Sequence, residues 1–190
     1  MHQGAVTGPA VQGPPNIAVV GLGNVLMGDD AFGPYVVAAL EAHHVFPEGV
    51  DLIDAGTPGH ELSAYLDGRD ALIVIDAVQA DGPPGSLRLF TFDEVCDRPP
   101  SLALSPHEPG LREALQKLAF SGRAPGHFLL VGAVPAQVEL CTRLSEPLLQ
   151  AVPAAESVVL GALAGFGIVA GEKVPPSPLA PWWERTDPSP

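Results

Sequence analysis

Short, almost wholly apolar runs alternate along this chain with stretches whose apolar residues recur every three or four positions. Runs of the first kind predict buried strands at residues 17–21, 50–53, 71–75 and 127–133. The second pattern predicts helices at residues 31–43, 61–66, 108–118 and 157–170. Strands that alternate with helices are typical of parallel βαβ units. The pattern therefore predicts an α/β fold with a mostly parallel sheet.

One further strand is expected to run against the others. Residues 86–92 alternate in polarity and follow a glycine- and proline-rich turn at residues 81–85. So short a connection after the strand at 71–75 cannot form a parallel crossover. This strand is therefore predicted to be antiparallel, at or near the edge of the sheet, and residues 93–106 are predicted to form a loop.

The composition of the two ends differs from that of the middle. Residues 1–15 are rich in Gly, Pro and Gln and have no features of a secretory signal, so a disordered leader is expected. Residues 174–190 contain six prolines and are expected to form an irregular tail. We predict a single α/β domain over residues 16–173.

Hydropathy and charge restrict the surroundings and partners of this domain. The longest apolar run, residues 158–170, is shorter than the roughly 20 residues that cross a bilayer, so no membrane insertion is expected. A net charge of −13 argues against nucleic acid as a partner and favours a metal ion or a basic protein surface. Two separated cysteines, Cys96 and Cys141, suit a chain with reduced thiols. A cytoplasmic monomer is expected.

Acidic residues follow three of the predicted strands. Asp29 and Asp30 follow the first strand, Asp54 follows the second, and Asp76 follows the third. The carboxyl ends of parallel strands lie at one edge of the sheet, where open α/β folds place their sites. We expect these carboxylates to be close together and to repel one another when no cation is present.

An imidazole is predicted to join this edge of the sheet. His107 lies between two prolines at the start of the helix predicted at 108–118. Each residue taken alone has a simpler interpretation: a helix cap for Asp30, a loop cap for Asp76 and a packing role for His107. Together they form a set of two carboxylates and one imidazole, which suits Zn²⁺, Mn²⁺, Ni²⁺ or Fe²⁺ with open coordination positions. The set predicts a labile or substrate-borne metal site.

A dinucleotide site is the main competing interpretation of the first turn. Gly-x-Gly at residues 21–23 follows a strand, and Asp54 supplies the acidic residue expected for a ribose. However, Leu26 replaces the third glycine of the motif, which removes close packing of helix on strand at that point. Asp29 and Asp30 would also repel a pyrophosphate. Nucleotide binding is therefore disfavoured.

The remaining histidines and the tryptophan pair receive other roles. His43 and His44 end a helix and are expected to be exposed capping residues, and His127 begins a strand at the opposite edge of the sheet. His60 follows the second strand and is a candidate accessory residue. The adjacent tryptophans at 182–183 are expected to pack back on the domain. The sequence has no nucleophile elbow, zinc-peptidase helix motif or P-loop, and no base lies beside either cysteine.

Several short motifs occur in a fixed order along the chain. They are Gly21-x-Gly23-Asn24-x-Leu26-x-x-Asp29-Asp30-x-x-Gly33, Asp54-Ala55-Gly56-Thr57, Ile75-Asp76-Ala77, Ser105-Pro106-His107-Glu108-x-Gly110-Leu111, Leu130-Val131-Gly132-x-x-Pro135 and Leu144-Ser145-x-Pro147. In order and spacing they resemble the motifs of the hydrogenase maturation endopeptidases, over about residues 16–170.

This resemblance implies a fold, a reaction and a site. The family has a three-layer α/β/α fold with a five-stranded twisted sheet, and it removes a C-terminal peptide from the large subunit of a [NiFe] hydrogenase after nickel insertion. The metal-binding positions of the family correspond to Asp30, Asp76 and His107, the first of which is often glutamate in relatives. The resemblance implies that nickel is supplied by the substrate precursor, and that these three residues are both its ligands and the catalytic groups.

Two alternatives remain open at this point. The first is a metal-dependent peptidase or amidohydrolase with its own Zn²⁺. The second is a chaperone that binds the nickel-loaded large subunit without cleaving it.

Overall fold

The computed structural model describes residues 15–97, 105–179 and 181–184. The strands are β1 (Ile17–Leu22), β2 (His44–Val45), β3 (Val50–Gly56), β4 (Ala71–Ala77), β5 (Leu87–Phe90), β6 (His127–Ala133) and β7 (Gly171–Glu172). The helices are α1 (Phe32–His43), α2 (Leu62–Leu66), α3 (Phe92–Cys96), α4 (Glu108–Phe120) and α5 (Glu146–Gly165). Single 3₁₀ turns occur at Gly28–Ala31, Gly59–Glu61 and Trp182–Glu184. The predicted disordered leader lies outside the described residues except for its last one.

Five strands form one mixed sheet in the order β3-β1-β4-β6-β5. The first four are parallel, and β5 is antiparallel to β6, with Leu87 opposite Ala133. The prediction of a mostly parallel sheet with one antiparallel edge strand is thus confirmed. In this order the carboxyl ends of β1 and β4 are neighbours, which brings their loops together.

Helices cover both faces of the sheet, so the predicted three-layer α/β/α architecture is confirmed. On one face α1 and α5 pack on side chains such as Ile17 and Ile73. On the other face α2 and α4 pack on Ala18 and Leu72. Every residue of β1 is buried, as expected for a central parallel strand covered on both faces.

Close packing of α1 on the sheet depends on two glycines. A Cβ at Gly33 would lie 2.3 Å from the carbonyl oxygen of Leu22, and one at Gly21 would lie 2.6 Å from the backbone of Gly33. Gly33, seven residues after Leu26, therefore provides close packing of helix on strand that the first turn was expected to lack. This packing holds the start of α1 against the ends of β1 and β4.

The last helix was predicted with the wrong limits. Residues 157–170 were expected, whereas α5 begins eleven residues earlier, at Glu146, and ends at Gly165. Pro147 in its first turn is compatible with a helix start, but Pro153 in its interior disfavours helix by local pattern. By length and apolar composition α5 is long enough to cross a membrane. One stripe of this helix, including Leu148 and Val159, is instead buried in the core against the sheet.

Two smaller features also differ from the prediction. Residues 92–96 form α3, although Phe92 was expected in a strand and residues 93–96 in a loop, because Thr91 and Glu94 make a capping box at its start. Residues 98–104 of that predicted loop lie outside the described residues. A two-stranded ribbon of β2 and β7 joins the end of α1 to the segment after α5.

The histidines at the end of α1 are less exposed than predicted. His43 Nδ1 lies 2.9 Å from the Oε1 atom of Glu156, a buried residue of α5. The ring of His44 is only 15% exposed. They therefore join α1 to α5 rather than cap α1 in solvent. His127 begins β6 at the opposite edge from the loops after β1 and β4, as predicted, and its ring contacts Phe166.

The tryptophan pair packs back on the domain, as predicted. The Trp183 ring contacts the Tyr35 ring in α1 at a centroid distance of 5.2 Å. The Trp182 Nε1–H donates to Oδ2 of Asp54, 3.1 Å away. These contacts hold the end of the described chain beside β3.

Candidate metal site

Three loops at the carboxyl edge of the sheet bring two carboxylates and one imidazole together. Asp30 lies in the 3₁₀ turn after β1, Asp76 lies near the end of β4, and His107 immediately precedes α4. Their potential ligand atoms all lie within 4.8 Å of one another. The structure thus brings together the three residues that the sequence analysis singled out.

Asp30 is a buried carboxylate with polar partners. Its Oδ2 accepts a hydrogen bond of 2.8 Å from the Asn24 N–H, and both its oxygens lie 3.1 Å from His107 Nε2. Burial by itself would raise the pKa of Asp30, but the His107 ring and the Asn24 N–H together lower it below its usual value. Asp30 is therefore ionised at neutral pH.

Asp76 differs from Asp30 because one of its oxygens has no partner. Its side chain is 2% exposed, and Oδ2 accepts a hydrogen bond of 2.5 Å from the Ser105 hydroxyl. Oδ1 is buried and has no hydrogen-bond partner among the described residues. Burial raises the pKa of Asp76 to about 7, against the opposing effects of His107 and Ser105. A buried oxygen without a partner is costly unless it binds something that is not part of the chain.

Ser105 connects two of the three site residues. Its hydroxyl donates to Asp76 and accepts from the backbone N–H groups of His107 and Glu108, at 3.2 and 3.1 Å. One side chain therefore satisfies donors at the start of α4 and orients a carboxylate of β4. The sequence analysis assigned Ser105 no role, although Ser-x-x-Glu before a helix is a capping signal.

His107 faces both carboxylates. Burial by itself would lower its pKa, but the hydrogen bond to Asp30 and the charges of Asp76 and Asp30 raise it above the usual value. The imidazole is therefore protonated more readily than a free one and balances the adjacent negative charge. A bound cation would take over that role.

The geometry of the cluster fits a divalent transition metal. Ligand atoms that share one ion at roughly 2.1 Å lie no more than about 4.2 Å apart, so only small movements are needed. Two carboxylates and one imidazole leave coordination positions for ligands from another molecule. The unpartnered Oδ1 of Asp76 is the atom that such a cation would satisfy.

Two other aspartates do not join the cluster. Asp29 is fully buried, and its carboxylate accepts four hydrogen bonds from residues 136–145: three backbone N–H groups and the Ser145 hydroxyl. Asp54 is exposed and accepts from Trp182. Asp29 and Asp54 therefore do not join the expected cluster, because their side-chain oxygens bind other partners.

A cavity of about 240 Å³ lies beside His107. It is lined mainly by apolar atoms, with Thr57, Pro58, Leu62 and Pro106 among the lining residues. The backbone of His60 lies in the adjacent 3₁₀ turn, but its side chain is outside the described part of the chain. The accessory role of His60 therefore stays a prediction.

Comparisons with known proteins agree with this arrangement. Residues 34–162 match the family model described as hydrogenase maturation protease. The hydrogenase 2 maturation protease of Escherichia coli K12 is 36% identical over 158 residues, covering 81% of this chain and 94% of that protein. The hydrogenase expression/formation protein HoxM of Azotobacter vinelandii is 38% identical over 173 residues, with coverages of 87% and 84%. The structure of hydrogenase maturating endopeptidase HybD from E. coli superimposes with a TM-score of 0.77 at 35% identity, covering 84% and 99% of the two chains.

Proposed function

Because this chain belongs to the hydrogenase maturation protease family, we propose that it removes a C-terminal peptide from the nickel-loaded large subunit of a [NiFe] hydrogenase. The observation that carries this proposal is the cluster of Asp30, Asp76 and His107, with an unpartnered carboxylate oxygen within the described chain. Such a site suits an incoming cation that already has other ligands.

Nickel is part of the substrate in this proposal. The ion, held by groups of the large subunit, would take Asp30, Asp76 and His107 as further ligands. A cation in that position polarises a nearby peptide carbonyl or lowers the pKa of a bound water. The buried carboxylates then distinguish a precursor that carries its nickel from one that does not, since without the ion they have no favourable contact to offer.

The two carboxylates differ in how readily they lose a proton. Asp30 has a lowered pKa and remains ionised, as a metal ligand must. Asp76, whose pKa is raised to about 7 by burial in the metal-free protein, must release its proton before it binds the ion. We assign all three side chains as ligands, with one of the two carboxylates as the general base.

The setting of the enzyme is also part of the proposal. A single domain over residues 16–173 is supported by the contacts at its ends: Asn16 N–H donates to Asp70, and Lys173 N–H donates to the His43 carbonyl. Two free cysteines suit a reducing compartment, so we place the protein in the cytoplasm, as a monomer.

Mass spectrometry of the large-subunit precursor tests the reaction. The precursor is incubated with this protein, with and without nickel in the precursor, and loss of a C-terminal peptide is expected only when both are present. His107→Ala should abolish the loss, whereas His127→Ala, at the opposite edge of the sheet, should not. Binding without cleavage would indicate a chaperone, and stoichiometric zinc retained through dialysis would indicate a zinc peptidase.

A further inference from the structure

Three large apolar side chains are exposed close to the metal site. Leu26 is 52% exposed, Val138 is 50% exposed and Leu140 is 84% exposed. Isolated apolar residues are common on protein surfaces, but a group of them on adjoining segments points to a contact site. We call Leu26, Val138 and Leu140 the apolar rim.

Backbone pairing joins the two segments of the rim. Met27 and Cys141 form a parallel bridge. The Cys141 N–H donates to the Leu26 carbonyl at 3.0 Å, and the Gly28 N–H donates to the Cys141 carbonyl at 2.7 Å. In a parallel register the residues before the bridge, Leu26 and Leu140, are neighbours. Leu26 and Leu140 are therefore adjacent on the surface, and Val138 lies two residues before Leu140 on the same segment.

Asp29 holds this surface in place. Its buried carboxylate binds the backbone N–H groups of Ala136, Gln137 and Ser145, so the segment that carries Val138 and Leu140 is tied to the turn that carries Asp30. A buried carboxylate that accepts four hydrogen bonds is a strong constraint on a loop. The backbone of a loop that is already held in place loses little conformational entropy when a partner covers it.

The apolar rim is also connected to the metal site. The Leu26 N–H donates to Oδ1 of Asn24 at 3.0 Å, and the Asn24 N–H donates to Asp30. Asp30 and Asp76 are themselves buried. A body that delivers a metal ion to them must therefore approach the turn that carries Asn24, Leu26 and Asp30.

We propose that the apolar rim docks the folded body of the large-subunit precursor, outside the peptide that is cleaved. This inference rests on the proposed function. The three side chains protrude, which suits an apolar depression on a folded partner better than an extended peptide. Continuity with the site that receives the metal identifies the occupant, since the same molecule must reach both.

The test measures both the Kd and the cleavage kinetics of the nickel-loaded precursor. For Leu140→Gln and for Val138→Thr we expect Kd and KM to rise about tenfold, which corresponds to about 1.4 kcal/mol, with kcat changed less than twofold. The matched control is Val169→Thr, because Val169 is 82% exposed but lies between α5 and β7. Its Kd and KM should stay as in the unmodified protein.

Three outcomes separate the possibilities. Unchanged Kd and KM in both rim variants would overturn the docking surface while leaving proteolysis intact. A precursor that binds but is not cleaved would overturn the proposed function, and the Kd values would still decide the role of the rim. Concentration-dependent dimerisation that Leu140→Gln abolishes would make this surface a contact between two copies of the chain, and the docking proposal would be wrong.

Discussion

Replacing Asp76 with asparagine should stabilise the metal-free protein above neutral pH. Burial raises the pKa of Asp76 to about 7, whereas the pKa of aspartate in an unfolded chain is about 3.9. Between these values the unfolded chain has released the proton and the folded protein still binds it, so stability falls as pH rises through this window. This loss of folding stability is absent below about pH 4 and complete above about pH 7. The pKa difference of roughly three units corresponds to a loss of about 4 kcal/mol in the free energy of unfolding.

Asparagine cannot ionise, so it removes this pH-dependent loss of stability, but it adds a smaller cost of its own. Its oxygen can still accept the hydrogen bond from Ser105, while its NH₂ group takes the place of the unpartnered Oδ1 at a cost of about 1–3 kcal/mol. The free energy of unfolding of Asp76→Asn should exceed that of the unmodified protein by about 1–3 kcal/mol at pH 8. At pH 5 this difference should be smaller by about 2–3 kcal/mol. For a chain of this length, each kcal/mol raises Tm by about 2–4 °C.

Urea and thermal unfolding in the presence of a chelator, at pH 5, 6, 7 and 8, measure this difference. Asp81→Asn removes the same charge from an exposed turn and reports the effect of net charge alone. Asp30→Asn should instead destabilise the protein at pH 8, because it loses the contacts with His107 and Asn24 that lower the pKa of Asp30. A stability difference between Asp76→Asn and the unmodified protein that does not vary with pH would refute the reasoning.

Two further predictions concern the imidazole and the thiols. His107→Ala should abolish processing and also cost about 1–3 kcal/mol, since it removes a partner of the buried Asp30 carboxylate; full processing activity would exclude His107 from the site. Cys96→Ser and Cys141→Ser should leave precursor cleavage unchanged in the mass-spectrometric assay. Burial and the adjacent acidic residues raise the pKa of Cys96, and the Cys141 thiol interacts with the backbone of Arg143. Loss of cleavage in a folded serine variant would require a mechanism with a thiol nucleophile.

Local pattern was sufficient to predict most of the sheet. Strands β1, β4 and β6 are apolar runs bounded by polar or turn residues, and burial on both faces requires that pattern. The helix α5 could not be delimited in the same way. Pro153 in its interior favours a break, but this half is nevertheless helical and packs Leu148 and Val152 in the core. Tertiary contacts override helix propensity at such positions.

Residue pattern alone was enough to place Asp30 and Asp76 at one edge of the sheet, because the carboxyl ends of parallel strands share an edge. The roles of two neighbouring aspartates could not be read from the pattern and follow from the fold. Asp29 and Asp30 are adjacent in the chain, yet the first binds the loop before α5 and the second faces His107. That division depends on partners more than 75 residues away in sequence, and the pairing of Ser105 with Asp76 likewise joins residues that are 29 apart. Donors that are distant in sequence, rather than residue type, explain why the Asp29 carboxylate is fully hydrogen-bonded and holds a loop in place. They also explain why the Asp76 carboxylate keeps one oxygen that a cation can bind.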